Sequence, residues 1–196
     1  MNDRLPSSAL LARMLELAPE MRAIRRDIHR HPELAYEEKR TAAIIAERLR
    51  AWGIAVHEGI GGTGVVGVLE NGKSARASGL RADMDALPIH EKSGLPYESV
   101  HQGRAHSCGH DGHTAMLLCA ARYLAETRRF DGRIHLVFQP AEEGKAGARA
   151  MIENGLFEKF PCAEIYALHN WPGLPAGTVA TRPRSEERRV GKECRL

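Results

Sequence analysis

Ser107-Cys108-Gly109-His110-Asp111-Gly112-His113 is the stretch from which the rest of the chain can be understood. It gathers a thiol, two imidazoles and a carboxylate into consecutive positions, and these are ligand groups for a transition metal. Two glycines let the backbone turn tightly between them. Cys108 and His110 are separated by one residue, so an extended or turn segment can bring both to a common centre. A helix would set them roughly 200° apart. Residues 114–127 then read as a helix with Ala115, Leu118, Cys119, Arg122 and Tyr123 near one face. The competing reading is a polar turn that caps this helix through Asp111.

Working outward toward the N-terminus, residues 77–87 read as a strand that contains Asp83 and Asp85. Side chains two apart on a strand project to one face, and two carboxylates at the end of an apolar strand are costly unless a positive group sits above them. Solvated acids at a strand end are the alternative. Before this strand, Gly59-Ile60-Gly61-Gly62-Thr63-Gly64 matches the G-x-G-x-x-G pattern. A dinucleotide site requires the last glycine to open a helix, but Val65-Val66-Gly67-Val68-Leu69 follows and is strand-like, so the glycines read as a turn between strands. Residues 54–57 form the strand on its other side. Further back, 37–52 is an amphipathic helix with Ala42, Ile45, Leu49 and Trp52 inward and Gly53 as its stop. Residues 8–17 form a helix, and Pro19 starts a second one carrying Met21, Ile24 and Ile28 that ends before Pro32.

Working outward toward the C-terminus, residues 133–138 are a strongly apolar strand that runs into Gln139-Pro140-Ala141-Glu142-Glu143-Gly144. Adjacent glutamates in an extended segment point in different directions, so one can bind a metal while the other faces a bound water. A surface acidic turn is the alternative. Residues 145–154 read as a helix stopped by Gly155, and 163–168 as an apolar, buried strand ending in His169-Asn170. Each of these polar groups comes at or just after the end of an apolar strand, or in a loop leading into a helix. In open α/β sheets the carboxyl ends of strands converge on one crevice, where sites are built.

The bulk properties narrow the class. A chain of 196 residues with 43% hydrophobic content can bury a core of its own. Its net charge is +3, of which residues 184–196 supply +2, so the body is close to neutral. No basic stripe with interleaved aromatics occurs, which argues against a nucleic-acid partner. The four cysteines show no framework spacing, and no signal peptide or membrane span is apparent, so the expected setting is reduced and cytoplasmic, with no membrane partner. A serine-hydrolase mechanism is disfavoured because G-x-S-x-G does not occur.

Five runs together carry a resemblance: Ile24-Arg25-Arg26-Asp27-Ile28-His29-Arg30-His31-Pro32-Glu33-Leu34, Leu80-Arg81-Ala82-Asp83-Met84-Asp85-Ala86-Leu87-Pro88, Cys108-Gly109-His110-Asp111-Gly112-His113, Phe138-Gln139-Pro140-Ala141-Glu142-Glu143 and Ala167-Leu168-His169-Asn170. In this order they resemble the metal-dependent amidohydrolases that include aminoacylases, hippurate hydrolases and auxin-conjugate hydrolases. The resemblance implies an α/β fold, a three-layer α/β/α zinc-peptidase-like catalytic domain with a central mixed sheet. It implies Cys108, His110, Glu143 and His169 as ligands of two divalent metal ions, manganese or zinc with cobalt or nickel possible, and Cys108 as the bridge. It further implies Glu142 as general base, Asp85 as a supporting carboxylate, and a small N-acyl amino acid as substrate. A dipeptidase or a biosynthetic deacetylase with the same metal centre, and a non-catalytic metal-binding module, are the alternatives.

Members of this family are longer, with an α+β lid and dimerisation domain after the segment ending near Pro183 and a later histidine as fifth ligand. The expectation is therefore that residues 1–183 are the N-terminal part of a catalytic domain, inactive alone, from a parent that is dimeric or tetrameric through the lid. Residues 184–196 resemble no part of the family and look like a translated sequencing-library adapter, with a genuine charged tail as the alternative.

Overall fold

The computed structural model describes residues 7–181; the tail at 184–196, with Cys194, lies outside the described residues. Five strands, β1 (Ala55–Ile60), β2 (Gly64–Asn71), β3 (Ala77–Asp83), β4 (Gly132–Gln139) and β5 (Glu164–Ala167), form one sheet in the order β1-β2-β4-β3-β5. β1 and β2 are an antiparallel hairpin across the glycine turn, and β2 pairs antiparallel with β4. β3 runs parallel to both β4 and β5, so the sheet is mixed, as expected. With a strand on both sides of the turn, no helix opens at Gly64, and the glycine pattern is not a dinucleotide site.

Alternation along the central strands assigns each face. Val65 and Leu69 of β2, with Leu136 and Phe138 of β4, face α1 (Ser7–Arg30), α2 (Lys39–Ala51) and α3 (His110–Thr127). Met21, Ile24 and Ile28 of α1, Ile45 and Leu49 of α2, and Leu117, Leu118 and Ala121 of α3 complete that core. Val66 and Val137 point the other way, onto Met151 of α4 (Gly147–Glu153), Leu156 of α5 (Leu156–Lys159) and Phe160. The result is three layers, α/β/α. Phe138 and Leu136 are fully buried, and a side chain of this size contributes about 1.5–3 kcal/mol on burial.

The structure corrects several expectations. The two N-terminal helices are one, α1, which carries Pro19 inside it. Proline leaves the carbonyl of Leu15 without its donor, but Leu15 and Pro19 lie on the exposed side, where water can serve instead. α3 starts at His110, inside the motif, and β3 stops at Asp83 so that Asp85 lies just beyond its end. β5 was expected to be buried, yet all four of its residues are exposed, since it is an edge strand. Among the described residues no helix is long and apolar enough to cross a membrane.

Candidate metal centre

β3 and β4 are parallel neighbours, so their carboxyl ends release Asp83, Asp85 and the Glu142-Glu143 turn on the same side of the sheet. α3 begins at that level. Gly109, at φ 91°, is the N-cap residue of α3 and occupies the left-handed region, and a Cβ there would lie 2.4 Å from the Asn170 side chain. Glycine thus both turns the chain between Cys108 and His110 and admits the segment that follows β5. Asp111 Oδ2 accepts from Arg25 and His29 and its Oδ1 has no partner, so the carboxylate does not cap the helix and the capping reading is set aside.

His110 is fully buried in the first turn of α3. Its Nδ1–H donates to Asp85 Oδ1 at 3.2 Å, and the other oxygen of Asp85 accepts the Glu143 backbone N–H at 2.9 Å. One carboxylate therefore orients two of the expected ligand residues, in the manner of outer-shell carboxylates at metal sites. With Nδ1 committed, His110 Nε2 faces the centre, 3.7 Å from Glu143 Oε1, 3.9 Å from Glu142 Oε2 and 3.7 Å from Asp83 Oδ1. Cys108 Sγ lies 3.5 Å from His169 Nε2, and His169 Nδ1–H donates to the Asn170 carbonyl at 2.6 Å. All six expected site residues are gathered here. Ligand atoms of Cys108, His110 and Glu143 fall within 4.8 Å of one another, as do those of Asp83, His110, His113 and His169.

In that second group Asp83 reads from sequence as a strand-end acid and His113 as one of the motif's two imidazoles, but neither is assigned there as a ligand. His113 Nδ1–H donates to Asp83 Oδ1 at 2.6 Å, and its Nε2 faces Asn170, 3.1 Å from the backbone N and 2.5 Å from Oδ1. Arg81 donates to the other Asp83 oxygen at 2.8 Å and to Gln139 at 2.8 Å. His113 stands in the opening motif, three positions after His110 and so on the same side of α3; that spacing was the available signal. The adjacent glutamates also differ from expectation. They lie in a turn, not an extended segment, and both reach toward His110 Nε2.

The electrostatics favour a cation. Burial works against ionisation of Asp83, yet the His113 hydrogen bond and the charges of Arg81 and His110 hold its carboxylate well below the usual range. Burial disfavours a charged His110 as well, but the bond to Asp85 and the carboxylates around it raise its pKa. Burial, reinforced by Asp83, pushes Glu142 up. Of the buried side-chain atoms without a hydrogen-bond partner, His110 Nε2 and Glu143 Oε1 are 3.7 Å apart and converge with Cys108. A buried acceptor left unsatisfied costs about 1–3 kcal/mol. A divalent cation bound by thiolate, imidazole and carboxylate would satisfy both atoms, so the residues present fit such an ion.

The description of peptidase family M20/M25/M40 matches residues 79–190. The chain is 52% identical over 163 residues to the hippurate hydrolase of Campylobacter jejuni, covering 83% of this chain and 42% of that protein. It is 44% identical over 167 residues to the N-acetyl-L-cysteine deacetylase of Bacillus subtilis, covering 85% and 40%. The crystal structure of the Bacillus subtilis YXEP protein, a dinuclear metal binding peptidase from the M20 family, superposes with a TM-score of 0.79 at 37% identity, covering 84% of this chain and 46% of that one. The chain thus spans about two fifths of the length of these curated relatives.

Proposed function

Since the chain belongs to peptidase family M20/M25/M40, we propose that it carries the metal-binding part of a hydrolase that cleaves the amide bond of N-acyl amino acids. The observation that carries this reading is the pair of buried, unpartnered ligand atoms, His110 Nε2 and Glu143 Oε1, beside Cys108 and His169. In this reading Cys108, His110, Glu143 and His169 are the residues that would hold two divalent ions, manganese or zinc, the Cys108 thiolate serving as a ligand. When bound, such ions polarise the amide carbonyl and lower the pKa of water toward about 7. Glu142, whose pKa is raised by burial and by Asp83, takes a proton from the attacking water. As the C–N bond breaks, it passes that proton to the departing amine nitrogen. Asp85 keeps His110 and the Glu143 backbone in place throughout.

Glycine-linked benzoyl amides are the substrate type suggested by the hippurate hydrolase relative. The deacetylase relative supports a second reading, in which a short acetyl group is removed. For the 196-residue chain by itself we expect no amidase activity above background. His169 is exposed and β5 is an exposed edge, which leaves the crevice open along that side.

Metal analysis of the purified protein against the Cys108→Ala/His110→Ala double variant tests the reading. At least one equivalent of zinc or manganese should bind to the wild type and be lost from the variant. Equal metal content in the two would end it. Where residues 1–183 are joined to the remaining length of a relative, Glu142→Gln should lower kcat by roughly 10²-fold or more while metal content holds. Benzoyl- and acetyl-amino acids offered to that enzyme separate the two substrate readings.

A further inference from the structure

The turn that carries Glu142 and Glu143 needs an explanation, because Ala141 before it sits at φ 51°. A residue with a Cβ rarely adopts this left-handed conformation and does so where surrounding contacts enforce it. Glu38 supplies such a contact. It is fully buried, stands at the N-cap of α2 and yet makes no capping bond to its own helix. Glu33 does that instead, accepting the N–H groups of Arg40 and Thr41 at 2.9 and 2.8 Å. The Glu38 carboxylate is therefore free to reach across the molecule, where Oε1 accepts the Ala141 N–H at 2.8 Å and Oε2 accepts the Thr63 hydroxyl at 2.5 Å.

Three segments distant in sequence meet at this carboxylate. Thr63 belongs to the glycine turn between β1 and β2, the motif for which the proposed reaction has no use. Tyr36, itself at φ 64°, donates its hydroxyl to the Lys145 carbonyl at 2.9 Å, and its ring lies against Gly62. On the far side of the turn, the Gly147 N–H donates to the Ala141 carbonyl at 3.0 Å. A Cβ on Gly147 would fall 1.7 Å from the Pro140 carbonyl, so only glycine lets α4 start this close to Ala141.

We propose that Glu38, held by Thr63, is a positioning residue that fixes the backbone at Ala141 and so aims Glu143 at the metal centre. This rests on the reading of Glu143 as a ligand. The glycine turn then has a role in the site without binding any nucleotide: it presents the Thr63 hydroxyl and makes room for Tyr36.

Cobalt(II) titration of the full chain, in competition with a chelator, tests the proposal through Glu38→Ala, Glu38→Asp, Glu38→Gln, Glu143→Gln and the Glu38→Ala/Glu143→Gln double variant. Glu38→Gln keeps an acceptor for Ala141 and should stay within about threefold of wild type. Glu38→Asp keeps the charge but falls short of Ala141, and with Glu38→Ala it should lose about tenfold or more in affinity, the scale of lost outer-shell contacts. In the Glu143→Gln background the loss from Glu38→Ala should vanish, because the two act through one ligand. A ranking by charge, with Asp near wild type and Gln impaired, would overturn the proposal, as would additive losses in the double variant. If Glu143→Gln alone leaves cobalt affinity unchanged, the reading of Glu143 as a ligand fails and the proposal falls with it. Should Glu38→Ala not fold, the Asp and Gln variants decide by their order.

Discussion

Two buried histidine–carboxylate clusters meet at the first turn of α3, on successive residues. Around His110 lie Asp83, Asp85, Glu142 and Glu143, and His110 Nε2 with Glu143 Oε1 is left without a hydrogen bond. Around Asp111 it is the imidazole that is closed on both sides, while Asp111 Oδ1 stays without a partner. Asp111 Oδ2 accepts from Arg25 at 3.0 Å and from His29 Nδ1 at 2.8 Å, and His29 Nε2 reaches Glu91 at 3.0 Å. Glu91 in turn accepts from Ser93 and the Ser99 N–H. Composition does not separate the two clusters; the state of the imidazole does. When both imidazole nitrogens are used by carboxylates, the cluster ties α1 to the 90–99 loop and has no imidazole nitrogen to offer. When one nitrogen is held and the other is bare, the cluster has a place for a cation.

Metal affinity should divide them most sharply. His110→Ala is expected to weaken cobalt or zinc binding by more than the roughly 100-fold that outer-shell losses reach, whereas His29→Ala should stay within about threefold, as measured by chelator competition. Comparable losses in both would erase the distinction.

Stability gives the next largest effect and reverses the order of the variants. His29→Ala leaves Asp111 and Glu91 without their shared partner, and breaking a buried pair in this way costs about 3–5 kcal/mol. Chemical denaturation should show this loss with or without metal. Saturating metal at about 100 times Kd should add about 2.7 kcal/mol to wild type and to His29→Ala alike, and nothing to His110→Ala. Metal stabilisation that disappears from His29→Ala would place His29 within the metal centre.

The smallest effect is in pH. The Asp111 hydrogen bond raises the pKa of His29, against a burial penalty and with help from Glu91. The folded state then holds the proton more tightly than the unfolded one, whose histidine titrates near about 6.5. The stabilisation is complete below that value and is lost as pH rises through the folded pKa. Wild type minus His29→Gln stability should therefore shrink with rising pH above about 6.5; a difference that is flat or grows across this range would contradict it.

Much of the centre was legible because the ligand groups stand in short local runs at strand ends. That Cys108, His110, Glu142, Glu143 and His169 would gather followed from the rule that parallel strands open on one crevice, whereas the roles proposed for them rest on the family resemblance. The less legible features depend on contacts far apart in sequence. Nothing local to Gln139-Pro140-Ala141 signals a left-handed alanine, since alanine disfavours that region and Glu38, 103 positions away, enforces it. His113 is one of the two imidazoles of the opening motif, but its partners Asp83 and Asn170 become visible only in the fold. Ile165 and Tyr166 look like core by composition, but the strand that carries them has a neighbour on only one side. Pro19 reads as a helix start, and its exposed setting lets one helix run through it.

The place of β4 in the sheet also fixes an order of events. Its partners are Val65 to Asn71 on one side and Ala77 to Asp83 on the other, so every pairing it makes closes a loop of more than fifty residues. The β1–β2 hairpin, closed by a turn of three residues, can form early and alone. Long loop closures are slow, and the crevice exists only once β4 has slotted between β2 and β3. A metal ion thus arrives at a finished framework. It should slow the escape from the native state while leaving the rate of reaching it unchanged.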